Sequence, residues 1–269
     1  MTASSRADPR LIELVGRLVD KGPLERPPLI GIVGAQGSGK TTLARAAAET
    51  FGAAQISIDD VYLTRARREA MAEDVHPLFL TRGPPGTHDL RLLDRLIKSL
   101  DAARPDDKVL IPEFDKRGDD RRPIRDWRIF SGRPRAILID AWCLGAVAED
   151  EAALVEPINA LERQGDPDGV WRRAVNGFAA GAYAEFAARF DAVLFLEAPG
   201  FEVVLDWRSQ QEADLLGVSP ARLPVAERQR LAGFIQYFER VTRRMLAGGV
   251  TADVTVKLDR NRNPVSIPA

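Results

Sequence analysis

Cysteine is nearly absent from this chain: Cys143 stands alone among 269 residues. A lone thiol cannot close an internal disulfide, so a reducing cytosol is the expected compartment. An excess of one charge is lacking too, since 38 Lys and Arg face 39 Asp and Glu and leave a net charge of −1. This balance argues against a nucleic acid or a membrane surface gripped by bulk charge, while a local basic patch stays open. No apolar run approaches the ~20 residues of a membrane span, and Met1 to Asp20 has mixed charge with no apolar signal core. Internal repeats and low-complexity segments are also missing. The expectation is a soluble cytoplasmic protein with no nucleic-acid and no membrane partner, with monomer and homodimer both open. The length allows one large α/β domain or two small ones, and we read 1–269 as one, with a helical lead-in over 1–28 and a helical C-terminal region over about 200–247.

What is present centres on Leu29 to Thr42. Leu29 to Val33 suits a strand buried on both faces, and it runs into G-x-x-x-x-G-K-T, the phosphate-binding P-loop. Gly34, Gly37 and Gly39 let the backbone turn its N–H groups toward one phosphate chain, and the following helix presents its N-terminus to the same anion. Lys40 is expected to reach the β- and γ-phosphates, and Thr41 to place its hydroxyl on Mg²⁺. The expected nucleotide contacts are therefore Gly34, Gln36, Gly37, Ser38, Gly39, Lys40, Thr41 and Thr42. An ordinary glycine-rich turn is the competing reading, but the strand before the motif and the helix after it supply the context that a P-loop requires.

Around this stretch, strands alternate with helices. Leu11, Ile12, Leu14, Val15, Leu18 and Val19 recur at helical spacing, and Lys21-Gly22-Pro23 breaks the pattern. Ala53 to Ile58 reads as a second strand and ends in Asp59-Asp60-Val61-Tyr62. Arg65 to Glu73 reads as an exposed helix, His76 to Asp89 as a long Pro- and Gly-rich loop with a binding role, and Leu90 to Leu100 as an amphipathic helix. Val109 to Phe114 is a brief apolar run, followed by a charged excursion over Asp115 to Arg128. Ala136 to Ile139 is a buried strand ending at Asp140, and Ala192 to Leu196 is another. Helices are expected over Glu149 to Arg163, Asp168 to Arg189, Phe201 to Leu216 and Ala226 to Leu246, with a weak last strand over Thr251 to Leu258. The expected fold is a three-layer α/β architecture: a doubly wound parallel sheet of the P-loop kinase type, with ligands beyond the carboxyl ends of its strands.

Because strand ends share one edge of such a sheet, Lys40, Asp59 and Asp140 are expected to converge. Phosphoryl transfer to an alcohol needs a phosphate cradle, Mg²⁺, positive charge over the moving group and a carboxylate beside the acceptor hydroxyl. Asp59 is the candidate for that carboxylate, the alternative being a helix cap or turn pair with Asp60. Asp140, after four apolar residues, occupies a Walker B position and joins Thr41 as the expected metal ligand, directly or through water. Ala141 follows it where a hydrolytic ATPase commonly has glutamate, which leans the reading toward transfer onto a bound substrate.

Several blocks then resemble the D-glycerate 3-kinase family of P-loop kinases, the plant and fungal-type glycerate kinases and their bacterial relatives. They are Gly34 to Thr42, Ser57-Ile58-Asp59-Asp60-Val61-Tyr62-Leu63-Thr64, Thr81-Arg82-Gly83-Pro84-Pro85-Gly86-Thr87-His88-Asp89-Leu90 and Pro112-Glu113-Phe114-Asp115-Lys116. Asp140-Ala141-Trp142-Cys143 is similar to that family's E-G-W-C block, with aspartate for the usual glutamate and alanine for glycine. Trp207-Arg208-Ser209-Gln210-Gln211-Glu212 is similar to its W-R-x-x-x-E helix. The resemblance implies ATP-dependent phosphorylation of glycerate at the 3-position, with Asp59 as base.

A glycerate-like anion needs a cation within the site, and Arg82, His88 and Lys116 are the candidates, Arg82 offering a planar fork that suits a carboxylate. Each has a plainer reading: Arg82 and Lys116 as solvated loop charges, and His88 as a neighbour of a helix cap. Asp60 and Tyr62 are expected on the same acceptor side. Arg208 is the third catalytic candidate, supplying charge to the transferring phosphoryl group, or else pairing with Glu212 one turn on. Trp142 and Trp207 read as core or pocket wall, Cys143 as a small packed hydrophobe, and Arg240, Arg243 and Arg244 as a solvated helix end. A pantothenate or nucleoside kinase remains an alternative, and an aromatic-rich pocket around the Pro/Gly loop, where only Phe79 stands, would favour a nucleoside. A nucleotide switch is disfavoured because no guanine-reading N-K-x-D segment occurs.

Overall fold

The computed structural model describes residues 7–267. In chain order its elements are α1 (Pro9–Asp20), β1 (Leu29–Gly34), α2 (Lys40–Phe51), β2 (Ala54–Ser57), α3 (Arg65–Asp74), α4 (Leu90–Asp101), β3 (Lys108–Ile111), β4 (Phe114–Asp115), β5 (Asp120–Arg121), β6 (Arg128–Ser131), β7 (Ile137–Ala141), α5 (Ala160–Gly165), α6 (Val170–Phe178), α7 (Ala184–Ala187), β8 (Ala192–Glu197), α8 (Val204–Leu216), α9 (Val225–Leu246), β9 (Val254–Leu258) and β10 (Pro264–Ser266). Residues 1–6 of the stretch read for a signal core lie outside the described part.

The main sheet runs β2-β7-β1-β8-β9-β10. Its first five strands pair in parallel, and β10 closes the edge antiparallel to β9. The chain leaves β1 toward one edge for β2 and β7, then crosses to the other side for β8 and β9. That reversal opens a crevice at the carboxyl end of β1, where a doubly wound sheet binds ligands. Local chemistry agrees with the topology. The Asp8 side chain caps α1 with Pro9 in its first turn, Gly52 ends α2 in a left-handed conformation (φ 66°), and the Asp89 carboxylate caps α4 at the Leu92 N–H (3.0 Å).

Strand alternation sorts the core into two layers. On one face Leu29, Val33, Ile56, Ile137 and Ile139 pack with Leu93 and Ile97 of α4 and Phe238 of α9. On the other, Ile30, Ile32, Leu138 and Leu194 pack with α1, with Leu43 and Ala47 of α2, and with Trp207 of α8. The same period of two decides where polar strand residues point. Asp140 follows Ile139 and so shares the α2 face with Leu138, while Gln55 and Ser57, flanking Ile56, turn to that face as well.

Several element boundaries differ from the sequence reading. Glu149 to Arg163 is not one helix: a single 3₁₀ turn covers Glu151–Leu154, Pro157 interrupts, and α5 begins only after the Asn159 side chain caps it at Glu162 N (3.0 Å). The helix expected over Asp168 to Arg189 splits at a π turn over Ala179–Tyr183, where Gly181 leaves helical geometry. The apolar run Val109 to Phe114 belongs to two separate ribbons, β3 with β6 and β4 with β5. Edge strand β10 was not anticipated. Among the described residues no helix is long and apolar enough to cross a membrane.

Candidate active site

Beyond the carboxyl end of β1 lies a cleft of about 530 Å³, open to solvent and lined by Gln36, Lys40, Thr41, Asp59, Tyr62, Arg82, Lys116, Asp140, Trp142 and Arg208 among others. Its phosphate end is the turn between β1 and α2. Gly37 (φ 78°) and Gly39 (φ 91°) hold the left-handed backbone that this turn needs. A Cβ on Gly37 would also stand 2.6 Å from the Cβ of Trp207, so the turn is pressed against α8. The Lys40 ammonium folds back onto the Ala35 carbonyl (3.0 Å), and burial pulls its pKa down against the opposing charges of Asp140 and Asp59.

Asp140 is fully buried at the floor. Its carboxylate accepts from the hydroxyls of Thr41 (2.7 Å) and Ser57 (3.0 Å) and from the Gln55 amide (2.6 Å). Burial pushes its carboxyl up, and those donors with the Lys40 charge oppose the shift. Gln55 and Ser57 were not assigned a role in the sequence reading. The available signal was two polar side chains alternating through an otherwise apolar strand. Around the same turn, both amide atoms of Gln36, Ser38 Oγ and Arg208 Nε are buried without a hydrogen-bond partner. Unpaired polar atoms beside a P-loop are what a polyphosphate ligand would satisfy.

The acceptor end is built from segments far apart in sequence. After β2 the chain turns through one 3₁₀ turn, Ile58–Val61, fastened by a reciprocal cap between Ser57 and Asp60. Its backbone is tied to the Pro/Gly loop: Leu63 N–H donates to Thr87 O (2.8 Å) and Asp89 N–H to Val61 O (2.7 Å). The segments Ser57 to Thr64 and Thr81 to Leu90 are thus partners in space. Asp59 accepts from the Tyr62 hydroxyl (2.7 Å) and from the Lys116 ammonium (2.6 Å). Burial pushes its carboxyl up, but Lys116 and Tyr62 outweigh that effect and hold it well below the usual carboxylate range.

Three expected acceptor contacts are placed differently. Asp60 turns out of the cleft, accepts from Ser57 N–H (3.1 Å) and pairs with Arg128 (3.2 Å), while burial raises its pKa to about 6. Its role is a cap and ion pair, as the alternative reading of Asp59-Asp60 allowed for this member of the pair. His88 is no cation: it lies buried beneath Tyr62, ring centroids 4.7 Å apart, and burial lowers its pKa to about 4. The Tyr183 hydroxyl accepts Gly86 N–H (2.9 Å) and shares a hydrogen bond with His88 Nδ1 (2.6 Å). A neutral ring in that position shapes the site through Tyr62 and cannot pair with a substrate carboxylate. Arg82 does line the cleft, but its guanidinium is engaged by Asp119 and by the Lys116 carbonyl (3.1 Å), and it lies over Phe114.

Arg208 sits on the cleft wall and donates to Gln211 (2.7 Å) rather than to Glu212. Trp142 packs edge-on against Phe238 (4.9 Å) and donates to Gly83 O (3.1 Å). Phe79 is buried in a separate cluster with Trp171. Arg240 is no solvated residue: it is buried and paired with Glu162 (2.6 Å) and Glu149 (3.2 Å). Cys143 is buried and free, as a small hydrophobe would be.

Comparison with known proteins agrees with this geometry. The D-glycerate 3-kinase of Cryptococcus neoformans superposes with a TM-score of 0.72 at 21% identity, covering 96% of each chain. The chain has the fold of a P-loop kinase. The YGR205w protein superposes with a TM-score of 0.67 at 22% identity, covering 97% of this chain and 95% of its own. YFH7 from Saccharomyces cerevisiae, a putative P-loop kinase with a circular permutation, reaches 0.52 at 12% identity, over 94% of this chain and 99% of its own. In sequence, the uncharacterized kinase mug58 of Schizosaccharomyces pombe is 28% identical over 221 residues, 75% of this chain and 76% of that protein. No family model matches the chain. The resemblance read from the sequence and these similarities agree on a P-loop kinase.

Proposed function

We propose that this kinase transfers the γ-phosphoryl group of Mg-ATP to a hydroxyl of D-glycerate, giving 3-phosphoglycerate. The observation that carries the reading is the single cleft in which the Lys40, Thr41 and Asp140 cluster faces Asp59, with Lys116 and Arg82 on the acceptor side. Similarity to the Cryptococcus enzyme supports the choice of acid.

In this reading the acceptor hydroxyl gives its proton to Asp59 as its oxygen bonds the γ-phosphorus. The bond from that phosphorus to the β-phosphate oxygen breaks, and its electron pair leaves with ADP. Lys40 and Arg208 place positive charge over the moving group. The hard oxygen donors Thr41 Oγ and Asp140 fit Mg²⁺, which commonly takes one or two protein ligands and completes its shell with phosphate and water. The ion supplies neutralisation of phosphate charge. We further propose that the α8–α9 region, carrying Arg208, serves as the lid.

The aromatic residues that line the cleft, Tyr62, Trp142, Phe234 and Phe238, bear on the nucleoside alternative. Trp142 and Phe234 each pack edge-on against Phe238, and Tyr62 is stacked on His88, so these rings are engaged with one another rather than set out as a stacking slot for a base. The test is ADP release from Mg-ATP with D-glycerate, L-glycerate, pantothenate or uridine against a blank without acceptor. D-glycerate alone should raise the rate. A rise with uridine or pantothenate instead overturns the substrate, and no rise with any acceptor removes all four.

A further inference from the structure

The acceptor end poses a chemical problem. Asp59 is the carboxylate placed to take the hydroxyl proton, yet Lys116 Nζ lies 2.6 Å from its Oδ2. A carboxylate closed by an ammonium is a weak base, so catalysis requires that partner to leave.

The way the pair is mounted shows which half moves. Asp59 is held from behind by the Tyr62 hydroxyl at 2.7 Å. Tyr62 is in turn fixed by the stacked ring of His88 and by the edge of Phe114, 5.2 Å away. Lys116 is mounted in the opposite manner. Its backbone is pinned, because Arg82 donates to its carbonyl and pairs with Asp119, but its side chain is 56% exposed. A fixed root with a solvated, flexible four-carbon stem lets the ammonium swing while the carboxylate stays. The other cleft cations are engaged: Lys40 with Ala35 O, Arg82 with Asp119 and Arg208 with Gln211.

We propose that Lys116 is an acceptor-sensing lock on Asp59, which it releases by passing its ammonium to the carboxylate of an incoming hydroxy acid. This rests on the reading that the acceptor is a small hydroxy acid. Once Lys116 has moved, Asp59 loses its direct ammonium partner and its burial raises its basicity, while the Tyr62 hydroxyl still holds it in place, and it takes the acceptor proton as the new oxygen–phosphorus bond forms. Without an acid the lock stays shut. Water arriving in place of the acceptor then finds no free base, so ATP is spared hydrolysis. Recognition of the carboxylate and activation of the base become one event, and an uncharged alcohol of the same shape fails to trigger it.

The experiment compares wild type, Lys116→Met and Lys116→Arg with Mg-ATP and three acceptor conditions: D-glycerate, its neutral amide glyceramide, and none. Wild type should favour the acid over the amide by at least ~100-fold. In Lys116→Met that preference should collapse to within ~10-fold, and ADP release without acceptor should rise ~10-fold, because Asp59 is free to act on water. Lys116→Arg should restore the low blank rate. A Lys116→Met enzyme whose blank is unchanged, and which loses acid and amide turnover in equal proportion, overturns the lock and leaves Lys116 a simple binding or structural residue. If wild type turns over no hydroxy acid, the substrate reading falls, and the acceptor-free rate of Lys116→Met still decides whether this lysine restrains Asp59.

Discussion

At the phosphate end of the cleft the backbone does most of the work. One continuous stretch, Gly34 to Thr41, turns sharply at two left-handed glycines, and its direct side-chain partner across the sheet is Asp140 on the neighbouring strand. At the acceptor end, side chains from three distant segments meet: Asp59 and Tyr62 after β2, Arg82 and His88 in the Pro/Gly loop, and Lys116 on the β4–β5 ribbon. Backbone N–H groups in a fixed turn present one constant surface, which suits a polyphosphate common to many enzymes. Side-chain pairs on separate loops can be exchanged singly, which suits the part of the site that must recognise one acceptor. Binding of the donor and choice of acceptor are therefore separable by mutation.

The largest separation is expected from D59N. Loss of a general base costs roughly 10²–10⁴ in rate, so turnover should fall by that range while calorimetric nucleotide affinity stays nearly unchanged. An unchanged turnover would remove Asp59 as base.

Next is the pH dependence of the acceptor end. His88 in the folded protein protonates near 4, against an ordinary value of 6.5, because burial disfavours its charged form. Between those values the unfolded chain binds the extra proton, so stability is full above 6.5 and is lost as pH falls toward 4, by about 3 kcal/mol over the whole range. Urea unfolding at pH 7.5 and 4.5 should show most of this loss in wild type and not in H88Q. Equal losses in both would mean that the ring is not held neutral.

At the phosphate end, G37A adds a Cβ at φ 78° and against Trp207. It should weaken ATP binding and lower the melting temperature, at a cost of about 2 kcal/mol in strain and displacement. Unaltered ATP affinity would show that the Gly37 turn does not grip the nucleotide. The smallest effect belongs to Y62F, which removes the fixed hydrogen bond to Asp59. A hydrogen bond to a charged group contributes about 1.5 kcal/mol at the low end, or roughly tenfold in turnover, and nucleotide affinity should not move. A change in affinity instead would tie the two ends together.

The contrast between the ends also accounts for what could be read in advance. Gly34 to Thr41 was legible because the turn itself is made by neighbouring residues, so spacing carries its backbone geometry, although its side-chain neighbours Asp140 and Trp207 lie far along the chain. Asp140 was legible because a strand alternates: four apolar residues followed by a carboxylate place that group at a sheet edge. Gln55 and Ser57 follow from the same rule applied to β2, yet their partner Asp140 is 85 and 83 residues away. His88 is no cation but the neighbour of the Asp89 cap, its plainer reading, and Arg240 is not solvated, because composition reports that a group is ionisable and not how deeply it lies. Burial turned the first into a neutral support, and a pair of glutamates drew the second inside.

By itself the sequence determined the chain order of the parallel strands β1, β2, β7, β8 and β9, the phosphate-binding turn and the carboxylates at the strand ends, since periods of 2 and 3.6 and glycine spacing are properties of neighbouring residues. Only the tertiary structure decided which cation meets which carboxylate. Lys116 reaches Asp59 across 57 residues and Arg82 reaches Asp119 across 37. Such pairings depend on how the Pro/Gly loop and the β4–β5 ribbon pack over the sheet, and no local spacing encodes them.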